Sequence, residues 1–201
     1  IYGDPLTGAN PGLDYDSETD AYEEPALHYI DGLRCGNATI VVLKYPETSN
    51  LNFPISFSIS NSKIGPGFQA LKIQSSEPDA TNVNIYIDGS NEFIASGTNG
   101  AAIQIKNTPN VKIGPCLLRG VDTGSSLIGV EVVGAVKNLY IDGATCEDNN
   151  ISNALSDSLG PLSNSNIVFS NGARPISLSG SDNTLRTTSG FSVNVSGDRN
   201  K

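Results

Sequence analysis

Tryptophan and methionine are absent from the chain, histidine occurs once, and only three cysteines are present. A single histidine, His28, excludes a two-histidine metal site. Any His-based triad would have to use that one residue, which reads instead as the boundary of an N-terminal cap. Three cysteines cannot close a disulfide framework, and no Cys-x-x-Cys pair exists for zinc. Cys116 and Cys146 lie about one repeat apart, which leaves two readings open: a bridge between them, or small buried hydrophobes. Charge is also scarce, at 16% of residues, and it is unbalanced: 12 Lys and Arg against 21 Asp and Glu, a net charge of −9. That balance argues against sequence-independent binding to nucleic acid or to anionic lipid, and against uronic-acid polymers unless a cation bridges them. No apolar run is long enough to insert into a membrane. There is no signal peptide and no initiating Met, so the chain reads as a processed product or an excised piece. No run of apolar residues at i, i+3, i+4 and i+7 is long enough for a helix.

Gly, Asn, Ser, Ile and Val fill the space left by these absences, a composition that favours strands and turns. One phrase recurs. Asn61-Ser62-Lys63-Ile64-Gly65 is followed by Asn84-Ile85-Tyr86-Ile87-Asp88-Gly89 and Asn110-Val111-Lys112-Ile113-Gly114. Asn138-Leu139-Tyr140-Ile141-Asp142-Gly143 and Asn166-Ile167-Val168-Phe169 complete the series. The steps between the Asn residues, in the twenties, are those of a solenoid or array. A second short strand precedes the Asn within a unit, as in Ala102-Ile103-Gln104-Ile105-Lys106 and Gly129-Val130-Glu131-Val132.

Strands this short, alternating apolar and polar residues, cannot bury a face alone; stacking coil on coil closes a core. The expected fold is therefore all-β, a right-handed parallel β-helix of about five or six coils. Alternation points Ile64, Ile85, Ile87, Val111, Ile113, Leu139, Ile141, Ile167 and Phe169 inward, each onto its counterpart in the next coil. The recurring Asn residues belong at bends, where Asn tolerates unusual backbone angles and can hydrogen-bond along the stack. An antiparallel β-sandwich with coincidental Asn turns is the competing architecture. Tyr-Ile-Asp-Gly occurs three times, at Tyr29 to Gly32, Tyr86 to Gly89 and Tyr140 to Gly143. The first copy starts the helix near His28. Residues 1–27 then read as an extended arm or cap, 28–195 as the β-helix, and 196–201 as a frayed polar tail.

The segments "AIQIKNTPNVKIGP" and "GVEVVGAVKNLYIDG" resemble coils of the pectin-lyase-like superfamily, from about Asn61 to Phe169. That superfamily includes polysaccharide lyases, polygalacturonase-type hydrolases, phage tailspikes and adhesin passengers, so the resemblance implies a fold and no single activity. The hydrolase motifs Asn-Thr-Asp, Asp-Asp, Gly-His-Gly and Arg-Ile-Lys are absent. The lyase motifs fail too: there is no Trp, and Arg174-Pro175 has no second Arg at the required place. No catalytic residue of the superfamily carries over.

Three groups of residues remain as candidates. Arg119, Asp122, Asp142, Glu147 and Asp148 fall on adjacent coils and could form a patch in which paired carboxylates act as acid and base or nucleophile on a glycosidic bond. Asp14, Asp16, Glu18 and Asp20 alternate like a calcium loop, but Thr19 stands where such a loop needs Gly and Pro25 where it needs Glu, so a solvated acidic loop competes with weak calcium binding. Lys63, Tyr86, Lys112, Tyr140 and Val168 occupy the outward position between inward residues. They form a ladder on which tyrosine rings can stack on sugars and lysines can bond hydroxyls. The expectation is a non-catalytic extracellular, cell-surface or virion-type module for adhesion, glycan attachment or scaffolding, without a required cofactor and with trimers conceivable. A polysaccharide lyase or glycoside hydrolase acting from the acidic patch is the alternative.

Overall fold

Short segments of alternating apolar and polar residues, each closed by Gly, Asn or Ser, give strands that run a few residues and then turn. The structure is a computed structural model. It describes residues 15–16, 21–22, 26–36, 40–44, 55–74, 83–121, 126–147, 150–171, 174–187 and 191–201. Strands β1 (Tyr15–Asp16) and β2 (Ala21–Tyr22) pair antiparallel. The first turn of the solenoid then comprises β3 (Ala26–Asp31), β4 (Arg34–Cys35) and β5 (Ile40–Lys44). The second comprises β6 (Ile55–Ser60), β7 (Lys63–Gly67) and β8 (Gln69–Gln74), and the third β9 (Val83–Ile87), β10 (Asn91–Ala95) and β11 (Ala101–Lys106). The fourth is β12 (Val111–Ile113), β13 (Cys116–Gly120) and β14 (Leu127–Val133), followed by the short β15 (Val136–Lys137). After it come β16 (Tyr140–Cys146), β17 (Ile151–Leu159), β18 (Leu162–Ser163), β19 (Asn166–Asn171), β20 (Ile176–Leu178), β21 (Thr184–Thr187) and β22 (Val193–Val195).

Every pairing among β3 to β22 is parallel, so the chain is a β-helix and the antiparallel sandwich is excluded. First-position strands stack in the order β3-β6-β9-β12-β16-β19-β21, and third-position strands form a seven-stranded sheet from β5 to β22. Second-position strands β4, β7, β10 and β13 stack between them. About four turns have three separate strands, slightly fewer than the five or six expected. From β16 onward the corner between first and second positions shrinks to a bulge near Gly143 (φ 85°), and later rungs have two main strands. β16 pairs with β12 along its first half and β13 along its second, joining those two stacks into one sheet. Among the described residues there is no helix.

All nine side chains expected to point inward are at most 1% exposed. Their stacking differs at the N-terminal end. An isoleucine ladder runs Ile30, Ile59, Ile87, Ile113, Ile141 and Ile167 to Leu185, one residue per rung. Phe57 stacks against Ile85. Ile64 belongs to a different file, Cys35-Ile64-Phe93-Leu118-Cys146, on the second-position strands. The phrase beginning at Asn61 therefore looks like a first-position coil but is a second-position one. A third file, Leu71-Ile103-Val130-Leu155-Ile176, closes the core, and Val193 continues its register at the exposed end of the stack. Burial of this kind contributes about 1.5–3 kcal/mol for each large apolar side chain.

The asparagine corners are partly as expected. Asn110, Asn138 and Asn164 all adopt left-handed backbone angles (φ 57°, 58° and 52°) on successive rungs, where Asn is one of the few residues tolerated. Asn138 Nδ2 donates to Asn110 Oδ1 at 3.0 Å, and Asn164 Nδ2 donates to Asn138 Oδ1 at 2.6 Å. Asn166 is not a corner residue: it lies in β19 opposite Tyr140, two residues past the bend. Asn84 likewise sits in strand β9. The corner line continues through Asp182 and Arg199, whose guanidinium donates to both Asp182 carboxylate oxygens at 2.5 and 2.7 Å. Ser196–Lys201, whose polarity reads as a frayed end, is bonded to the preceding rung. Asp182 N donates to Asp198 O, and Lys201 N donates to Asn183 O.

Candidate functional site

The outer face of the first-position stack is set by the same alternation that turns isoleucine inward. Pairing places Tyr29, Ser58, Tyr86, Lys112, Tyr140, Asn166 and Thr184 in one file along the axis, one residue per rung. Tyr86, Lys112 and Tyr140 are thus neighbours, as the repeat implies. Two expected members are not. Lys63 lies on the second-position strands, and Val168 pairs with Asp142 rather than following Tyr140. Their places are taken by Ser58 and Asn166, and Tyr29 extends the file at its start. The three tyrosines are 61%, 41% and 51% exposed. They come from the three Tyr-Ile-Asp-Gly copies, which fall on alternate rungs.

Two residues after each tyrosine stands an exposed carboxylate: Asp31, Asp88 or Asp142. Asp31 accepts from Ser60 Oγ and from Asn61 Nδ2, both at 2.8 Å. The Ser60 and Asn61 hydrogen bonds hold its carboxyl below the usual aspartate value. Because the Ser60 proton goes to Asp31, the 2.8 Å contact between Ser60 Oγ and the Tyr29 hydroxyl has the tyrosine as donor. That bond reaches the next rung, so the Tyr29 ring lies across the face instead of standing away from it. Ser58 Oγ donates to Asp88 Oδ2 at 3.4 Å.

The expected acidic patch is not assembled as one group. Asp142 points out from the first-position half of β16, opposite Val168. Glu147 follows the end of that strand and lines a groove of about 440 Å³ with Glu92, Pro115, Leu117 and Thr145. Arg119 is committed to Glu92, at 3.0 Å, and Lys63 holds the other Glu92 oxygen at 2.8 Å. Partial burial alone would raise the Glu92 carboxyl, but hydrogen bonds and charge from Lys63 and Arg119 outweigh it and hold the group below its ordinary value. Glu92 is thus kept ionised and does not suit a general acid. Sequence reasoning passed over Glu92, because the pairing that places it opposite Lys63 depends on a strand position the repeat does not announce. Asp122 and Asp148 lie outside the described residues.

Asp14, Glu18 and Asp20 also lie outside the described residues, and Asp16 is seen only as backbone in β1. Among the described residues no three His, Cys, Asp or Glu side chains gather as a metal site. Cys116 and Cys146 are buried and unbridged. Burial pushes both thiols up to about 12. Comparison with protein-family models, curated proteins and solved structures finds no match to the chain.

Proposed function

We propose that this chain is a non-catalytic β-helix module that attaches to a carbohydrate-bearing surface through the outer face of its first-position strands. The observation that carries the reading is the file of exposed tyrosines interleaved with Ser58 and Lys112 and fringed by Asp31, Asp88 and Asp142. Exposed aromatic rings on a rigid sheet offer apolar area to a sugar ring, while the neighbouring polar groups bond its hydroxyls. The resemblance of the coil phrases to the pectin-lyase-like superfamily, several of whose members handle polysaccharides, supports the same reading. The reading carries with it an extracellular, cell-surface or virion setting, where such a module would serve adhesion or scaffolding.

Tyr86→Ala combined with Tyr140→Ala should abolish binding on a glycan array while leaving the melting temperature within a few degrees, since both side chains are exposed. Unchanged array binding would remove the proposal. The second reading, a polysaccharide lyase or glycoside hydrolase, rests on the groove that Glu147 lines, with Glu92 beside it as a fixed carboxylate and not as the general acid. A screen of neutral and acidic polysaccharides for new reducing ends or unsaturated products decides between the two.

A further inference from the structure

Resting on the attachment reading, we infer that the ligand of the tyrosine file is a linear, uncharged, equatorially linked hexopyranose chain of the cellulose or chitin type. It lies parallel to the solenoid axis and is gripped at every second sugar. The inference starts from a period. Tyr29, Tyr86 and Tyr140 occupy the same register position on alternate rungs, each followed by Ile, Asp and Gly. Parallel strands stack about 4.8 Å apart, so the tyrosine positions recur about every 9.6 Å. The intervening positions hold Ser58 and Lys112, which have no ring but can bond a hydroxyl.

A ligand that uses all three rings must repeat at that interval and present the same face each time. An equatorially linked hexopyranose chain does both. Consecutive sugars are turned over by roughly half a revolution, so every second sugar shows the same face, and the two-sugar repeat is close to two rungs in length. The overturned sugar between them then meets Ser58 or Lys112. A peptide held as a β-strand fails the same requirement. Three residues span about 10 Å, but side chains three apart in a strand point to opposite faces.

The charge of the chain follows from the fringe. Asp31, Asp88 and Asp142 run beside the rings at the same interval, on a protein of net charge −9. Carboxylates accept hydrogen bonds from sugar hydroxyls and repel uronates. A neutral chain gains from this stripe and an acidic one loses.

Calorimetric titration with cello- and chito-oligosaccharides of increasing length tests the idea on the whole chain, with oligogalacturonates as the acidic comparison. Affinity should rise in steps at each added pair of sugars, by about tenfold per step, one ring contact at a time. Tyr140→Ala should erase the last step, and Tyr140→Phe should keep it, because the ring and not the hydroxyl makes the contact. Equal gains for every added sugar, or tighter binding of oligogalacturonates, would overturn the inference and leave glycan attachment standing. Loss of all glycan binding on the array would overturn both.

Discussion

Asn138 shows how much a single side chain does in this fold. It holds a left-handed corner and bridges Asn110 to Asn164 through two hydrogen bonds. Asn138→Gly keeps the corner angle and loses both bonds, at about 1–2 kcal/mol; Asn138→Ala adds backbone strain of about 1 kcal/mol more. Denaturant unfolding should therefore rank wild type above Gly above Ala. Glu92 supplies a second test, in pH. Its folded-state value is depressed, so its pairing with Lys63 and Arg119 stabilises fully above the ordinary glutamate value of 4.5 and fades as pH falls through the lower folded value. The stability gap between wild type and Glu92→Gln, read from unfolding midpoints, should narrow on acidification below about pH 4.5. At this scale inside and outside were legible, because a two-residue alternation leaves no choice of face once one isoleucine is placed. The ion triad was not, since it joins residues on three different rungs.

Among strands and corners, the legible units were those opened by Asn and closed by Gly. β9 contains the Asn of its phrase, β12 begins directly after Asn110 and β16 two residues after Asn138; their register follows from the phrase. β10 and β13 announce nothing comparable, and so the second position of each turn was missed. The Asn61 phrase misled because a second-position strand happens to copy a first-position corner, its Asn also at positive φ (48°). Corners carry their own steric demand. A Cβ on Gly160 would lie 2.0 Å from Gly134 O and 2.2 Å from Gly134 N, since the two corners stack backbone on backbone. Gly160→Ala should cost about 3 kcal/mol or prevent folding. Gly36→Ala, with no atom within 4 Å of the added carbon, should stay within about 0.5 kcal/mol in the same denaturation experiment.

The whole molecule is a stack in which each rung touches its neighbours and closes over a shared interior. Cys116 and Cys146 sit in that interior with thiols pushed up to about 12, so at neutral pH they are protonated and shielded. Alkylation followed by mass measurement should label neither in the native protein and both after unfolding, which reports opening of the stack. The tyrosine face was half legible from sequence: Tyr86, Lys112 and Tyr140 share one phrase, whereas Tyr29 follows His28 instead of an Asn-led start. Its alternate-rung spacing has a further consequence. The face behaves as a ruler graduated in pairs of coils. Splicing in two coils would lengthen it by one whole mark and leave every ring in step, whereas splicing in one would stretch a single interval to three rungs and break the count.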